Sequence, residues 1–210
     1  TVLNTPLKNN SIQNSTLDLQ LPQSKGYTQP YWLKEIGTVG MYTVDDQKNI
    51  GIPDIIRDLK VIFNIKINNI EIPFERTVVY KYNDRVKGEI YNFLDIVPEV
   101  TTTILDKVLL FPNTKPKYVG VRLKSGKDNI KGNLKLDLPK EWKVSPESIA
   151  FQIDQKGTEQ TVYFEVTPPA QISEVFAKSI ATIDNIDYDK EQIIIDYDHI
   201  TKQQVLKTAE

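Results

Sequence analysis

Gln29, Tyr31 and Trp32 lie in the stretch GYTQPYWLKEIG over 26–37, and their types and spacing come closest in this chain to suggesting a ligand. Aromatic faces stack on the C–H groups of a pyranose while a neighbouring amide bonds its hydroxyls, so the three would make a sugar-binding platform. An aromatic pair following a proline also plugs the end of a sandwich or a domain junction, burying about 150–250 Å² per ring. Both readings stand on the sequence, and the plug is preferred.

Most other chemistry is excluded by residue type. Cysteine is absent, which removes disulfides, thiolate nucleophiles and thiolate metal sites together. His199 is the single histidine, so no site needing two imidazoles is available within the chain. A Ser-His-Asp triad would have to use His199, yet there is no G-x-S-x-G elbow. GVRLKSGK over 120–127 has five residues between its glycines where a phosphate loop has four, and Asp128 follows where Ser or Thr is needed, so it reads as a strand and a turn. Asp184, Asp187, Asp189, Asp196 and Asp198 gather late in the chain without the EF-hand spacing; solvated loop acids are the preferred reading, and a calcium site held by these carboxylates is the alternative. No catalytic residue, no metal ligand and no cofactor is assigned.

Charge narrows the partners. Lys and Arg number 26 against 28 Asp and Glu, a net charge of -2, so no field draws nucleic acid or an anionic membrane. No apolar run of membrane-spanning length and no signal-type segment is visible. The start at Thr1 and the single Met41 suggest a processed or excised piece of a longer polypeptide.

The elements that must position these residues are strands. In LKVIFNIKINNIEI, Leu59, Val61, Phe63, Ile65 and Ile67 share one face, and Asn68-Asn69 offers a tight turn into Ile70 and Ile72, which predicts a hairpin. The second half repeats the alternation at Val119, Val121 and Leu123, at Leu134, Leu136 and Leu138, at Ile149, Phe151 and Ile153, and at Val162, Phe164 and Val166. Trp142, with Val144 on the same face, is expected in the core. TLDLQLP, GTVGMYTV, TVVYKYN, KVLLFP and QIIIDYDHI read as further strand segments, and the polar N-terminal stretch as poorly ordered. Only PDIIRDL from Pro53 and PAQISEVF over 169–176 suggest short helices.

Short alternating strands separated by turn signals predict an all-β chain of two tandem immunoglobulin-like antiparallel β-sandwich domains. The boundary is placed near residue 94, where NFLDIVPEVTTTI leads into a new run of strands, giving a first domain over 1–93 and a second over 94–210.

TQPYWL, GMYTVDDQKNIGIPD, VVYKYNDRVKGEIY, IVPEVT and the closing IDYDHI resemble the β-rich C-terminal region of bacterial PIG-L (LmbE-like) N-acetylglucosaminyl deacetylases. The stretch from KYVGVRLKSG to YFEVTPP is similar to NEW3-type immunoglobulin-like modules found beside carbohydrate-active domains. The family carries zinc on a His-Pro-Asp-Asp type motif plus a further histidine, and neither occurs here. The resemblance therefore implies a non-catalytic accessory region, a scaffold or carbohydrate-binding part of a larger deacetylase. It implies the catalytic domain of the parent chain as partner, a glycan containing N-acetylated sugars as ligand, and a periplasmic or extracellular bacterial location. The alternative is a protein-interaction or adhesion module unrelated to sugar deacetylation.

Overall fold

A computed structural model of the chain describes residues 6–22, 25–53, 55–57 and 59–210. It is all-β and antiparallel, as the alternation predicts. Strands form because apolar residues recur every second position, and the turns between them carry residues that accept positive φ.

The second block is a sandwich of two four-stranded sheets. One has the order β5-β6-β10-β8, from Val100–Ile104, Lys117–Ser125, Glu159–Thr167 and Lys143–Ser145. The other has the order β12-β11-β7-β9, from Ile186–Tyr188, Lys178–Ile183, Ile130–Asp137 and Ile149–Ile153. Val119, Val121 and Leu123 of β6 face Leu134 and Leu136 of β7, Phe151 and Ile153 of β9 and Ala181 of β11 in one buried cluster. Trp142 packs against this cluster, edge-on to Phe111 at 5.2 Å between centroids. Close packing fixes Gly132, where a Cβ would lie 2.3 Å from the Thr182 carbonyl oxygen, and Gly126, where it would lie 2.1 Å from that of Pro98.

A hairpin of β13, Lys190–Ile195, and β14, Gln203–Thr208, closes one side of the sandwich. The Ser179 amide donates to the Ala209 carbonyl at 3.0 Å, and the Ala209 amide donates to that of Asp189 at 2.8 Å. Lys107 adds an ion pair to the buried Glu191 at 2.7 Å. β14 had no clear sequence signal, because Val205 and Leu206 are adjacent and break the alternation.

The first block is built differently. The hairpin expected at 59–72 forms as β1, Lys60–Ile67, and β2, Ile70–Thr77, with Asn68 and Asn69 at φ 47° and 68° in its turn. β3, Val79–Asp84, pairs with β4, Gly88–Phe93. Each pair is a two-stranded ribbon joined to no other sheet among the described residues. On the apolar face of the first ribbon, Phe63 opposes Phe74 and Ile67 opposes Ile70, and these four side chains stay 40–65% exposed.

Several expected segments take no regular structure. The 16–22 and 107–112 stretches are irregular, and 37–44 contributes a single bridge between Thr38 and Met41. Leu109 and Phe111 nevertheless pack on the core as loop residues. The helices expected at 53–59 and 169–176 do not form among the described residues, and Asp54 and Asp58 lie outside those residues. A segment of two turns cannot offset the cost of helix nucleation without packing support, and Ile172 and Phe176 are exposed. No helix among the described residues is long and apolar enough to cross a membrane.

Candidate functional site

The segment holding Gln29, Tyr31 and Trp32 is tied into the fold by its backbone first. The Thr28 amide donates to the Ile96 carbonyl at 2.9 Å, and the Ile96 amide donates back to Thr28 Oγ1 at 2.9 Å. Pro30 is fully buried, and Tyr31–Leu33 then form one 3-10 turn closed by the Leu33 amide on the Pro30 carbonyl at 3.1 Å. Proline fixes φ at the start of this turn and removes a donor that burial would have stranded.

Side chains complete the attachment. Gln29 Oε1 accepts from the Leu206 amide at 3.1 Å, so its carbonyl end bonds the backbone within β14. Gln204, itself 2% exposed, donates through Nε2 to the Thr28 carbonyl at 2.6 Å and lies 3.3 Å from that of Ile96. Gln192 donates to Gln204 Oε1 at 2.7 Å and holds its orientation. A buried amide bonded at both ends is a strong geometric constraint, because each partner left unpaired would carry its full desolvation cost. Gln204 is the residue the sequence reading missed; a glutamine in a short C-terminal strand gives no signal of its own.

The aromatic pair is half-buried. Tyr31 and Trp32 meet edge to face at 4.9 Å between centroids, and Tyr31 Oη donates to the Ile52 carbonyl at 3.3 Å. The structure therefore brings the three residues together in sequence order, with the Gln29 carbonyl and the Tyr31 hydroxyl turned to partners inside the chain.

The titratable groups nearby are phenols. Burial pushes the Tyr27 hydroxyl above its ordinary value, with Glu99 and Asp189 adding to the effect. Tyr188 is raised by burial first, then by Glu99, Tyr27 and Asp184. Both rings are thus neutral at ordinary pH.

The late acids and His199 are dispersed. His199 is exposed and stacks on Tyr197 at 5.8 Å, Asp198 pairs with Lys87 at 3.1 Å, and Asp187 accepts from Thr182 at 2.6 Å. Among the described residues, no three His, Asp or Glu side chains converge to hold a metal ion. The 120–127 stretch is the end of β6 followed by a loop, with the Lys127 ammonium on Glu99 at 3.1 Å.

No family model matches the chain, and no curated protein matches it.

Proposed function

We propose that the chain is a non-catalytic accessory β-region of a larger PIG-L-type N-acetylglucosaminyl deacetylase, and that its role is to scaffold the catalytic domain of the same polypeptide. The observation that carries this reading is the first ribbon. Val61, Phe63 and Ile67 of β1 and Ile70, Ile72 and Phe74 of β2 share a face and remain 37–65% exposed. A contiguous apolar face of this kind is uncommon on a free-standing domain and marks an interaction surface. Covering it would remove apolar area worth about 25 cal/mol per Å² from water.

The inward hydrogen bonds of Gln29 and Tyr31 support scaffolding over glycan capture, because they leave the aromatic segment as a plug between the sandwich and the first block. A periplasmic or extracellular location belongs to the same reading.

Amide hydrogen exchange tests the proposal. In the 210-residue chain the β1–β2 amides should exchange fast, and in the full-length polypeptide they should be protected at least tenfold. Equal exchange in both would remove the scaffold role. In parallel, titration with a chitin-type oligosaccharide followed by tryptophan fluorescence should give no saturable change. A response lost in Trp32→Ala and kept in Trp142→Phe would replace scaffolding with sugar binding. Protection of the ribbon by a separate polypeptide alone would favour the adhesion reading.

A further inference from the structure

The two long edges of the first ribbon are not alike. The Val78 amide donates to the Leu59 carbonyl at 3.1 Å, one step beyond β1 and β2, and this fixes which residues of the ribbon bond across it. Bonded and non-bonded pairs alternate in an antiparallel ladder, so Val61, Phe63, Ile65 and Ile67 turn their backbone groups toward β2. Ile62, Asn64 and Lys66 turn theirs the other way, where no strand lies among the described residues, and all three are exposed. An edge of this kind is a template for one more strand.

The β2 edge is closed by its own sequence. By the same alternation Glu71, Pro73 and Glu75 point their backbone away from β1, and Pro73 has no N–H to give and sets its ring in that edge. Its cross-strand neighbour on β1 is Asn64, which keeps its N–H. Copies of the chain fit the open edge poorly. Pairing β1 with the β2 edge of a next copy meets Pro73 and, without it, would run on without closing. Pairing β1 antiparallel with β1 of a second copy, with Ile62 opposite Asn64, sets Lys60 opposite Lys66 twice, and like charges directly opposed destabilise a pair.

We propose that the open edge of β1 receives an edge strand of the catalytic domain, apolar on the side that continues Val61, Phe63, Ile65 and Ile67 and acidic on the side that meets Lys60 and Lys66. β2 is the template for that chemistry. It sets Ile70, Ile72 and Phe74 beside the apolar face and Glu71 and Glu75 beside the lysines, with Lys60 Nζ on Glu75 at 2.6 Å. Backbone bonds supply the grip, and the side-chain pattern selects the strand. The partner's identity rests on the scaffold role proposed above; the edge itself follows from the register of the ribbon.

Residue-resolved amide exchange separates the two. In the full-length polypeptide the Ile62, Asn64 and Lys66 amides should exchange at least tenfold more slowly than in the 210-residue chain, while those of Glu71 and Glu75 keep their rates. Equal slowing on both edges would report cover of the face, overturning the strand pairing and leaving the scaffold role in place. No slowing at any of these amides would overturn both. A second test uses the 210-residue chain alone. Pro73→Val supplies the missing N–H, so β1 of one copy should take β2 of the next, with Lys66 facing Glu71 as in the ribbon itself. Sedimentation velocity should show the wild type at one size over about 10–500 µM and Pro73→Val forming larger species as concentration rises. Adding Asn64→Pro, which removes an N–H from the open edge and none from the β1–β2 ladder, should restore the wild-type size. Equal association of the wild type, no association of Pro73→Val, or association that survives Asn64→Pro would each overturn the assignment of the edge. If Pro73→Val fails to fold, the exchange contrast between Asn64 and Glu71 decides the matter.

Discussion

β6 in the sandwich and β1 in the first ribbon carry the same alternating pattern with opposite outcomes. Val119, Val121 and Leu123 are 2%, 0% and 0% exposed, while Val61, Phe63 and Ile67 are 40%, 52% and 54% exposed. β6 pairs with an antiparallel neighbour on each side and β1 on one side only, but pairing within a sheet covers strand edges and leaves a face of side chains open. The difference is the facing layer. β6 looks across at β7, β9 and β11, whereas among the described residues the ribbon joins no other sheet and its apolar face stays exposed. Period two therefore says which face seeks burial and leaves open what buries it. The sandwich takes that cover from its own chain, and on our reading the ribbon takes it from a catalytic domain.

The contrast can be broken at its strongest point first. Phe164 is fully buried between the sheets, and Phe164→Ala should lower the unfolding free energy by about 3–5 kcal/mol, measured by urea denaturation. A loss under about 1 kcal/mol would mean that the sandwich core is as loosely covered as the ribbon.

Next comes the clamp that joins the aromatic segment to β14. Gln204→Ala removes the donor to the Thr28 carbonyl and strands buried acceptors, which should cost about 1–3 kcal/mol. Trp32 should become more exposed, seen as a red-shifted fluorescence component absent from Trp142. An unchanged spectrum would separate Trp32 from the clamp.

Alkaline pH probes the same junction. Tyr27 and Tyr188 have folded-state values raised above their ordinary one, so their contribution is complete below the unfolded value of about 10 and is lost as pH rises through the folded values. Stability should therefore fall above about pH 10. In Glu99→Gln both phenols should ionise at lower pH than in the wild type, read from tyrosinate absorbance, while the larger effect of burial remains. Coincident titration curves would show that Glu99 does not reach the phenols.

The smallest effect belongs to the ribbon. Phe63→Ser removes a side chain that is 52% exposed and should change the stability of the 210-residue chain by no more than about 0.5 kcal/mol. Binding of a hydrophobic dye should fall, since the apolar face is interrupted. A loss comparable to that of Phe164→Ala would show that something in the chain already covers the face.

Much of the architecture could be read from particular residues. Asn68-Asn69 announced the first hairpin because asparagine accepts the positive φ that its turn requires. The spacing of Val119, Val121 and Leu123 announced β6, and that of Leu134 and Leu136 announced β7. The candidate site was legible only in part. Gln29, Tyr31 and Trp32 stood out by type, but the partners of their polar atoms, the Leu206 amide and the Ile52 carbonyl, lie too far along the chain to be read from local sequence. Gln204 and Arg57 gave no local sign, since their partners lie far off in sequence: Gln204 bonds Thr28 across 176 positions, and Arg57 pairs with Asp95 across 38.

The sequence by itself determined that this chain forms antiparallel strands, and where most of them turn, because alternation and turn chemistry act within a few residues. Only the tertiary structure decided which apolar faces would be covered, that Gln29 would bond the backbone of a strand 177 positions away, and that two donors of Arg57 would be left without acceptors. These outcomes depend on contacts between distant segments, whose geometry is fixed by packing and has no signature in local periodicity.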